Sequence, residues 1–443
     1  MKKEPDFFDL FSCAGLDRNR IRELAFETGF CERDSGKISA ADFLIHLCLE
    51  SVSGTVSYND LAANIAAHTG VVASRQAYWE RMDEKCVRFF QSILERVMMS
   101  KCNPDDVQAI NKHGRFKRIL LQDSTIIRLP LRLFEIFSGV KNAQKAVCNA
   151  RIQGIYDLLS GHFIQFSIDP YSKNDQAASL EIPVQDGDLV LRDRGYFRIQ
   201  AVEKLKQAGA DSINRYKHST TLYDLATGQK IDLLELLTRN GSVDMLVGAG
   251  PDGKVSTRLI AFPAPEETAN LRRMRAKKEM NGHAPSQKLL ELMSWTIFLT
   301  TITDVSITFK EIAALYGLRW RIENIFKTWK SHFNFQKIHN VPEIELRVLL
   351  KARLIMITLA YERLYLPLLN LLFRASGELL SLMKFMRYIT QNLSLLPRFL
   401  NSSAFPPQLC EAVRRYCMYE KRKRPNFLTE MEAIFLKSGV LCP

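Results

Sequence analysis

The spacing of apolar positions changes three times along this chain, and each change marks a different kind of element. Up to about residue 112 the apolar residues recur every three to four positions, as amphipathic helices require. ISAADFLIHLCLESV and the long SRQAYWERMDEKCVRFFQSILERVMM both do so, behind Ser starts. Residues 57–82, SYNDLAANIAAHTGVVASRQAYWERM, read as a helix, a Thr-Gly turn and a second helix opening at Ser74. That pattern fits a helix-turn-helix offering Arg75, Gln76 and Tyr78 to a DNA groove, and equally an ordinary helical bundle.

From 113 the period shortens. RILLQDSTIIRL is a β-rich run with an acid in its middle, and ARIQGIYDLLSGHFIQFSI reads as two strands joined by a Leu-Ser-Gly turn. GDLVLRDRGYF is a short buried strand ending at Asp193, and IQAVEKLKQAGA behind it is a helix closed by Gly209. Strand, hairpin, strand and helix describe a mixed α/β sheet. A β-rich stretch over 213–292, which ends in the basic helix PEETANLRRMRAKKEM, interrupts this pattern before it resumes at MSWTIFLTTI. Within that stretch VDMLVGAGPDGKVSTRLIAF contains G-x-G-x-x-G, but a strand follows where a dinucleotide site needs a helix. It is read as a hairpin turning at Pro251-Asp252-Gly253. From 341 onward the chain is helical.

The stretch YGLRWRIENIFKTWK, 316–330, has a different character. As one helix it places Tyr316, Arg319, Glu323 and Lys330 within about 60° of one another, with Leu318, Ile322, Ile325 and Trp329 opposite. The mixed stripe would then run about 21 Å, enough to follow several phosphates.

Composition narrows the partners. Lys and Arg number 61 against 48 Asp and Glu, a net charge of +13, which favours a polyanion: nucleic acid first, a membrane surface second. The apolar run LIMITLAYERLYLPLLNLLF is cut by Glu362, Arg363 and Pro367, so no membrane span is expected, and no signal-peptide core is visible at the start. Nine scattered cysteines without a C-x-x-C pair fit a reduced, cytosolic protein with no zinc site. The basic run from Glu420 to Arg424 reads as a solvated surface able to touch phosphate.

Three acids stand where chemistry could use them: Asp123 inside ILLQDSTII, Asp193 at the end of DLVLRD, and Glu323 on the mixed helix. A carboxylate in an apolar strand is costly unless neutralised, and two strand-borne carboxylates near a third make a site for hard divalent cations. Each has a plain alternative. Asp123 could cap a turn, Asp193 could shape the turn at Arg194-Gly195, and Glu323 with Lys327 could be a helix-stabilising pair.

Taken together, Tyr316, Arg319, Glu323 and Lys330 fit the Y-R-E-K spacing of the "IS four" family, and the chain resembles these DDE transposases of bacterial insertion sequences. LLQDST and LRDRGYF look like that family's two aspartate regions. The resemblance implies an α/β, RNase H-like catalytic domain over 113–212 and 293–340, with 213–292 as a β-rich insertion. A helical DNA-binding region over 1–112 and a helical C-terminal region over 341–443 would flank it. It implies that Asp123, Asp193 and Glu323 are catalytic and hold two Mg2+ ions, with Mn2+ able to substitute, while Tyr316, Arg319 and Lys330 contact DNA phosphates. Trp295, in similar transposases, would stack on a flipped base; the plain reading makes it a core residue. The implied activity is cleavage at terminal inverted repeats of double-stranded DNA and strand transfer, by way of hairpin ends and a synaptic homodimer in the bacterial cytoplasm, nucleoid-associated when bound. The alternatives are a catalytically silent DNA-binding regulator descended from a transposase, and an RNase H-like nuclease that cuts without joining.

Overall fold

The computed structural model describes residues 11–12, 14–33, 37–99, 116–138, 147–172, 180–279, 284–393 and 407–420. Its backbone separates into a larger unit, Met1–His113, Ser124–Asn174 and Arg321–Pro443, and a smaller one, Gly114–Asp123 and Asp175–Trp320.

Among the described residues the chain opens with the helices α1 (Arg18–Glu27), α2 (Ala40–Ser53), α3 (Tyr58–Thr69), α4 (Arg75–Trp79) and α5 (Glu84–Met99). The single long helix expected from Ser74 to Met99 is two. Asp83 accepts a hydrogen bond from the Cys86 amide at 2.8 Å, which starts α5 afresh and leaves α4 only five residues long. Tyr78 does not reach a groove as expected: it is fully buried and stacks with Phe43, centroids 6.3 Å apart. The exposed aromatic is its neighbour, Trp79.

Nine strands form one sheet in the order β3-β2-β1-β4-β5-β9-β8-β7-β6. β1 (Arg118–Arg128) leads into the β2 (Asn149–Asp157) and β3 (His162–Pro170) hairpin, which is antiparallel, with Gly161 in the turn at φ 74°. β4 (Asp188–Arg192) runs parallel to β1, and β5 (Asp211–Arg215), reached through helix α6 (Ile199–Gln207), runs parallel to β4. An antiparallel hairpin on one side of β1 and two parallel strands on the other make the RNase H-like, mixed α/β sheet the sequence suggested.

The 213–292 stretch extends that sheet. It contributes β6 (Leu222–Asp224), α7 (Leu233–Asn240), β7 (Val243–Ala249), β8 (Val255–Pro263), α8 (Glu266–Glu279) and α9 (Gln287–Leu292). β7 and β8 pair antiparallel around the Pro251-Asp252-Gly253 turn, with Gly253 at φ 66°, which settles the glycine-rich segment as a hairpin. β9 (Trp295–Thr300) bridges β8 and β5. Ile297 and Leu299 turn to one face, into a core with Leu259, Val247, Leu237 and Val202. Phe298 turns to the other face, where its ring lies 5.2 Å from that of Tyr316.

The expected single helix over 316–330 is also two. α10 (Phe309–Gly317) opens with a capping box between Thr308 and Glu311. Leu318 and Arg319 then form a tight turn closed by Leu318 N–H to Leu315 C=O and Arg319 N–H to Tyr316 C=O, at 3.0 and 3.1 Å, before α11 (Trp320–His332) begins. The mixed stripe is therefore not one 15-residue ladder: Tyr316 ends α10, Arg319 sits in the turn, and only Glu323 and Lys330 share α11.

In the larger unit, α12 (Glu343–Leu359) is buried all round, as a central helix should be. A π-helical turn, Ala360–Tyr365, leads to α13 (Leu366–Ser376), α14 (Leu382–Gln391) and α15 (Pro407–Tyr416). Arg353 of α12 is fully buried and donates to the carbonyls of Ser51, Gly54, Asn334 and Lys337, at 2.7 to 3.0 Å. It thereby ties the end of α2 to the loop that closes α11. Among the described residues no helix is long and apolar enough to cross a membrane. The basic run after Glu420 lies outside the described residues.

Candidate active site

β1 and β4 are parallel and in register, Gln122 opposite Arg192, so Asp123 and Asp193 are the next residues along two adjoining strands. Neighbouring strands lie about 4.8 Å apart, and in-register residues of a parallel pair face the same side. Register alone thus gives the two residues adjoining positions, seventy residues apart in sequence. Asp193 is exposed, and its Oδ2 accepts from the Gly195 amide at 3.5 Å, starting the short 3-10 turn at Arg194–Tyr196. The plain reading of Asp193 as a turn-former is what this contact shows, and its carboxylate stays exposed.

Asp123 is more enclosed. Its side chain is 15% exposed and that of Arg319 is 5% exposed, with Nη1 3.9 Å from Asp123 Oδ2. Arg319 in turn lies between two aromatic rings, 5.6 Å from the centroid of Tyr316 and 5.2 Å from that of Trp320. Tyr316 is buried and its hydroxyl donates to the Arg192 carbonyl at 3.4 Å, on the last paired residue before Asp193. Burial holds its phenol above the ordinary value; Arg319 pulls the other way. Tyr316 and Arg319 therefore pack behind the two aspartates, where the sequence had put them out on a phosphate-facing stripe.

Glu323 and Lys330 stand in the larger unit, on α11. Glu323 is in the first turn, where a carboxylate complements the helix dipole. The opposite face is fixed by Trp329, which is 1% exposed and packs among Phe163, Phe166, Phe326 and Phe335 with centroids 4.8 to 5.6 Å apart. Leu318, Ile322 and Ile325 are buried, as the periodicity required. Lys330 is half-buried, and that burial lowers its ammonium below the usual lysine value.

The donor chemistry suits a hard divalent ion: two aspartates at adjoining positions of neighbouring strands, one of them exposed and only loosely engaged. Among the described residues no group of three His, Cys, Asp or Glu is gathered closely enough to hold a metal. Trp295 is half-buried at the start of β9, donates its indole N–H to the Gly241 carbonyl at 3.0 Å and packs on the β7–β9 core. This is the structural role that the plain reading gave it. Arg75 and Gln76 are exposed on α4 and, with Asn59, Tyr58 and Trp79, line a surface cleft of about 330 Å³.

Residues 114–360, more than half of the chain and including both aspartates and the Y-R-E-K residues, match the transposase DDE domain. The chain belongs to the DDE transposases. It is 27% identical to the transposase for insertion sequence element IS231B of Bacillus thuringiensis subsp. berliner, over 98% of this chain and 96% of that one. It is likewise 27% identical to the transposase for insertion sequence element IS1151 of Clostridium perfringens, over 78% of each. A solved structure, the piggyBac transposase synaptic complex with hairpin DNA, aligns with 97% of this chain and 88% of its own at 13% identity, TM-score 0.40. Membership makes this transposase an enzyme that cleaves and transfers DNA.

Proposed function

We propose that this transposase cuts at the terminal inverted repeats of its element and joins the freed 3′-hydroxyl to target DNA, with Asp123, Asp193 and Glu323 as its catalytic acids. The observation that best supports the reading is the parallel register of β1 and β4, Gln122 opposite Arg192, with Asp123 following inside β1 and Asp193 just past β4, both within the matched transposase domain. When bound, divalent ions, Mg2+ with Mn2+ able to substitute, would supply activation of the attacking oxygen and stabilisation of the leaving one. The rest falls to the chain's own groups. Asp123, Asp193 and Glu323 would supply the oxygen ligands. Arg319, held between two rings, keeps Asp123 aimed and offsets the repulsion between neighbouring carboxylates. Lys330, whose burial disfavours its charge, regains stability when a phosphate approaches.

In the same reading, residues 1–112 recognise the repeats, with Arg75 and Gln76 on the exposed side of α4. Residues 113–212 and 293–340 form the catalytic domain around the 213–292 insertion, and 341–443 support a synaptic homodimer. Cleavage proceeds through hairpin ends, in the cytoplasm and on the nucleoid.

The test replaces Asp123, Asp193 and Glu323 singly with Ala and measures end binding, nicking and strand transfer with Mg2+ on terminal-repeat duplexes. Each variant should bind and neither cut nor join, since metal ligands serve chemistry more than docking. Substantial cleavage by any one of them removes that residue from the site. A parent protein that cuts but never joins pre-cleaved ends would be a nuclease.

A further inference from the structure

Within the larger unit, α5, β3 and α12 meet around a cavity of about 340 Å³, and none of the residues assigned to catalysis is among those lining it. Helical spacing decides what enters it. Leu94 and Met98 share one face of α5, and Arg347, Lys351 and Leu354 share one face of α12. Phe166 and Ile168 alternate along β3 and complete an apolar wall.

Lys351 is the group that this packing leaves unanswered. It is 9% exposed and lines the cavity, and among the described residues no acceptor or carboxylate pairs with it. The charges around it are otherwise engaged: Arg347 Nε donates to Glu343 Oε1 at 2.7 Å, and Glu95 accepts from Gln91 Nε2 at 2.8 Å. Burial, then Arg347, hold the Lys351 ammonium below the usual lysine value, against the weaker pull of Glu84 and Glu95. A buried ammonium is costly unless an anion completes it. The wall states what else that anion carries, since Leu94, Met98, Ile168 and Leu354 gain nothing from a sugar or a second charge and gain from a short apolar body that leaves water to join them.

We infer that this cavity is a binding site for a small monocarboxylate with an apolar chain, its carboxylate on Lys351 and its chain against Leu94, Met98, Ile168 and Leu354. The site stands whether or not the three acids are catalytic. Phe166 joins it to the rest of the unit: the ring that lines the cavity also packs on Trp329, centroids 5.6 Å apart, so an occupant bears on the aromatic cluster that seats α11.

Isothermal titration calorimetry of the full chain with butanoate, hexanoate and octanoate, each below its micelle concentration, tests the site. Binding should be one to one and tighten roughly threefold per added methylene. Octanol and octylamine, matched in chain and lacking the negative charge, should bind at least about tenfold more weakly than octanoate. Lys351→Met should lose roughly tenfold or more for octanoate while keeping octanol, and Lys351→Arg should recover part of the loss. Met98→Phe, which narrows the cavity and leaves the charge, should weaken octanoate more than butanoate. Octanoate should also raise the melting temperature of the parent and not that of Lys351→Met; Lys351→Gln takes its place if the methionine variant does not fold. No one-to-one binding of octanoate at millimolar concentration overturns the inference. So does equal affinity for octanol or octylamine, or octanoate binding that survives Lys351→Met unchanged.

Discussion

Removing the guanidinium of Arg319 separates two roles that the Y-R-E-K resemblance and the structure assign differently. A phosphate-contacting arginine faces outward, whereas Arg319 is 4% exposed and lies 3.9 Å from Asp123. At that distance a pair of unit charges interacts by about 4 kcal/mol at an effective dielectric near 20. The looseness of the contact and the remaining access of water to Asp123 reduce this. Loss of the two ring contacts adds roughly 0.5–1 kcal/mol each. Loss of this contact beside the enclosed Asp123, with the two ring contacts, should thus destabilise Arg319→Ala by about 2–4 kcal/mol, a fall of roughly 10 °C in melting temperature for a unit of this size. Arg319→Lys, which restores charge but neither the fork nor the stacking, should recover about half. Thermal denaturation of Arg319→Ala, Asp123→Asn and the double variant measures the coupling, expected at about 1–3 kcal/mol. An alanine variant that melts within a degree of the parent, yet binds DNA weakly with a shallower salt slope, would refute the argument and return Arg319 to the surface.

Other substitutions test other parts of the fold. Glu362, 1% exposed by side chain and 2.7 Å from His162, is held above the ordinary 4.5 by burial, against the pull of that histidine. The folded state therefore holds this proton more tightly than the unfolded chain, and the stability it confers, complete below about 4.5, is lost as pH rises through the folded value. Melting curves at several pH values should show the parent losing ground to Glu362→Gln as pH rises; a gain would mean that the ion pair with His162 dominates. Trp295→Phe, which loses the bond to Gly241, should lower melting temperature by a few degrees and reduce nicking and hairpin formation alike; a selective hairpin defect would restore the stacking role. Trp79→Ala and Arg75→Ala should weaken terminal-repeat binding several-fold without changing stability, because both side chains are exposed. Unchanged electrophoretic shifts would move recognition elsewhere.

Much of the sheet could be read from the sequence because its signals are local. The hairpin at Leu159-Ser160-Gly161, the strand into Asp193 and the Pro251-Asp252-Gly253 turn each combine a period of two with turn chemistry. The two helices drawn too long failed for a shared reason: apolar periodicity survives a break of a few residues. Asp83 restarts a helix in mid-pattern through a single cap, and Leu318-Arg319 tighten into a turn that keeps Ile322, Ile325 and Trp329 on the buried side. Hydrophobic spacing reports which face is buried, and not whether the axis is continuous.

That distinction decides how much of the site a motif can convey. The spacing of Tyr316, Arg319, Glu323 and Lys330 was legible, but the geometry drawn from it assumed an unbroken helix. With the turn at Arg319, the first two residues pack inward against Arg192 and Asp123 while the last two continue on α11. A three-residue offset across a turn does not stack side chains as it does within a helix. Arg272 lies in the basic helix PEETANLRRMRAKKEM that the sequence displays, but its meeting with Thr296 depends on the return of α8 onto β9 and could not be read from that run. The same is true of Asp123 with Asp193, whose proximity is a property of register. A motif contained in one short run of chain can be read in advance; a site assembled from neighbouring strands needs the sheet that assembles it.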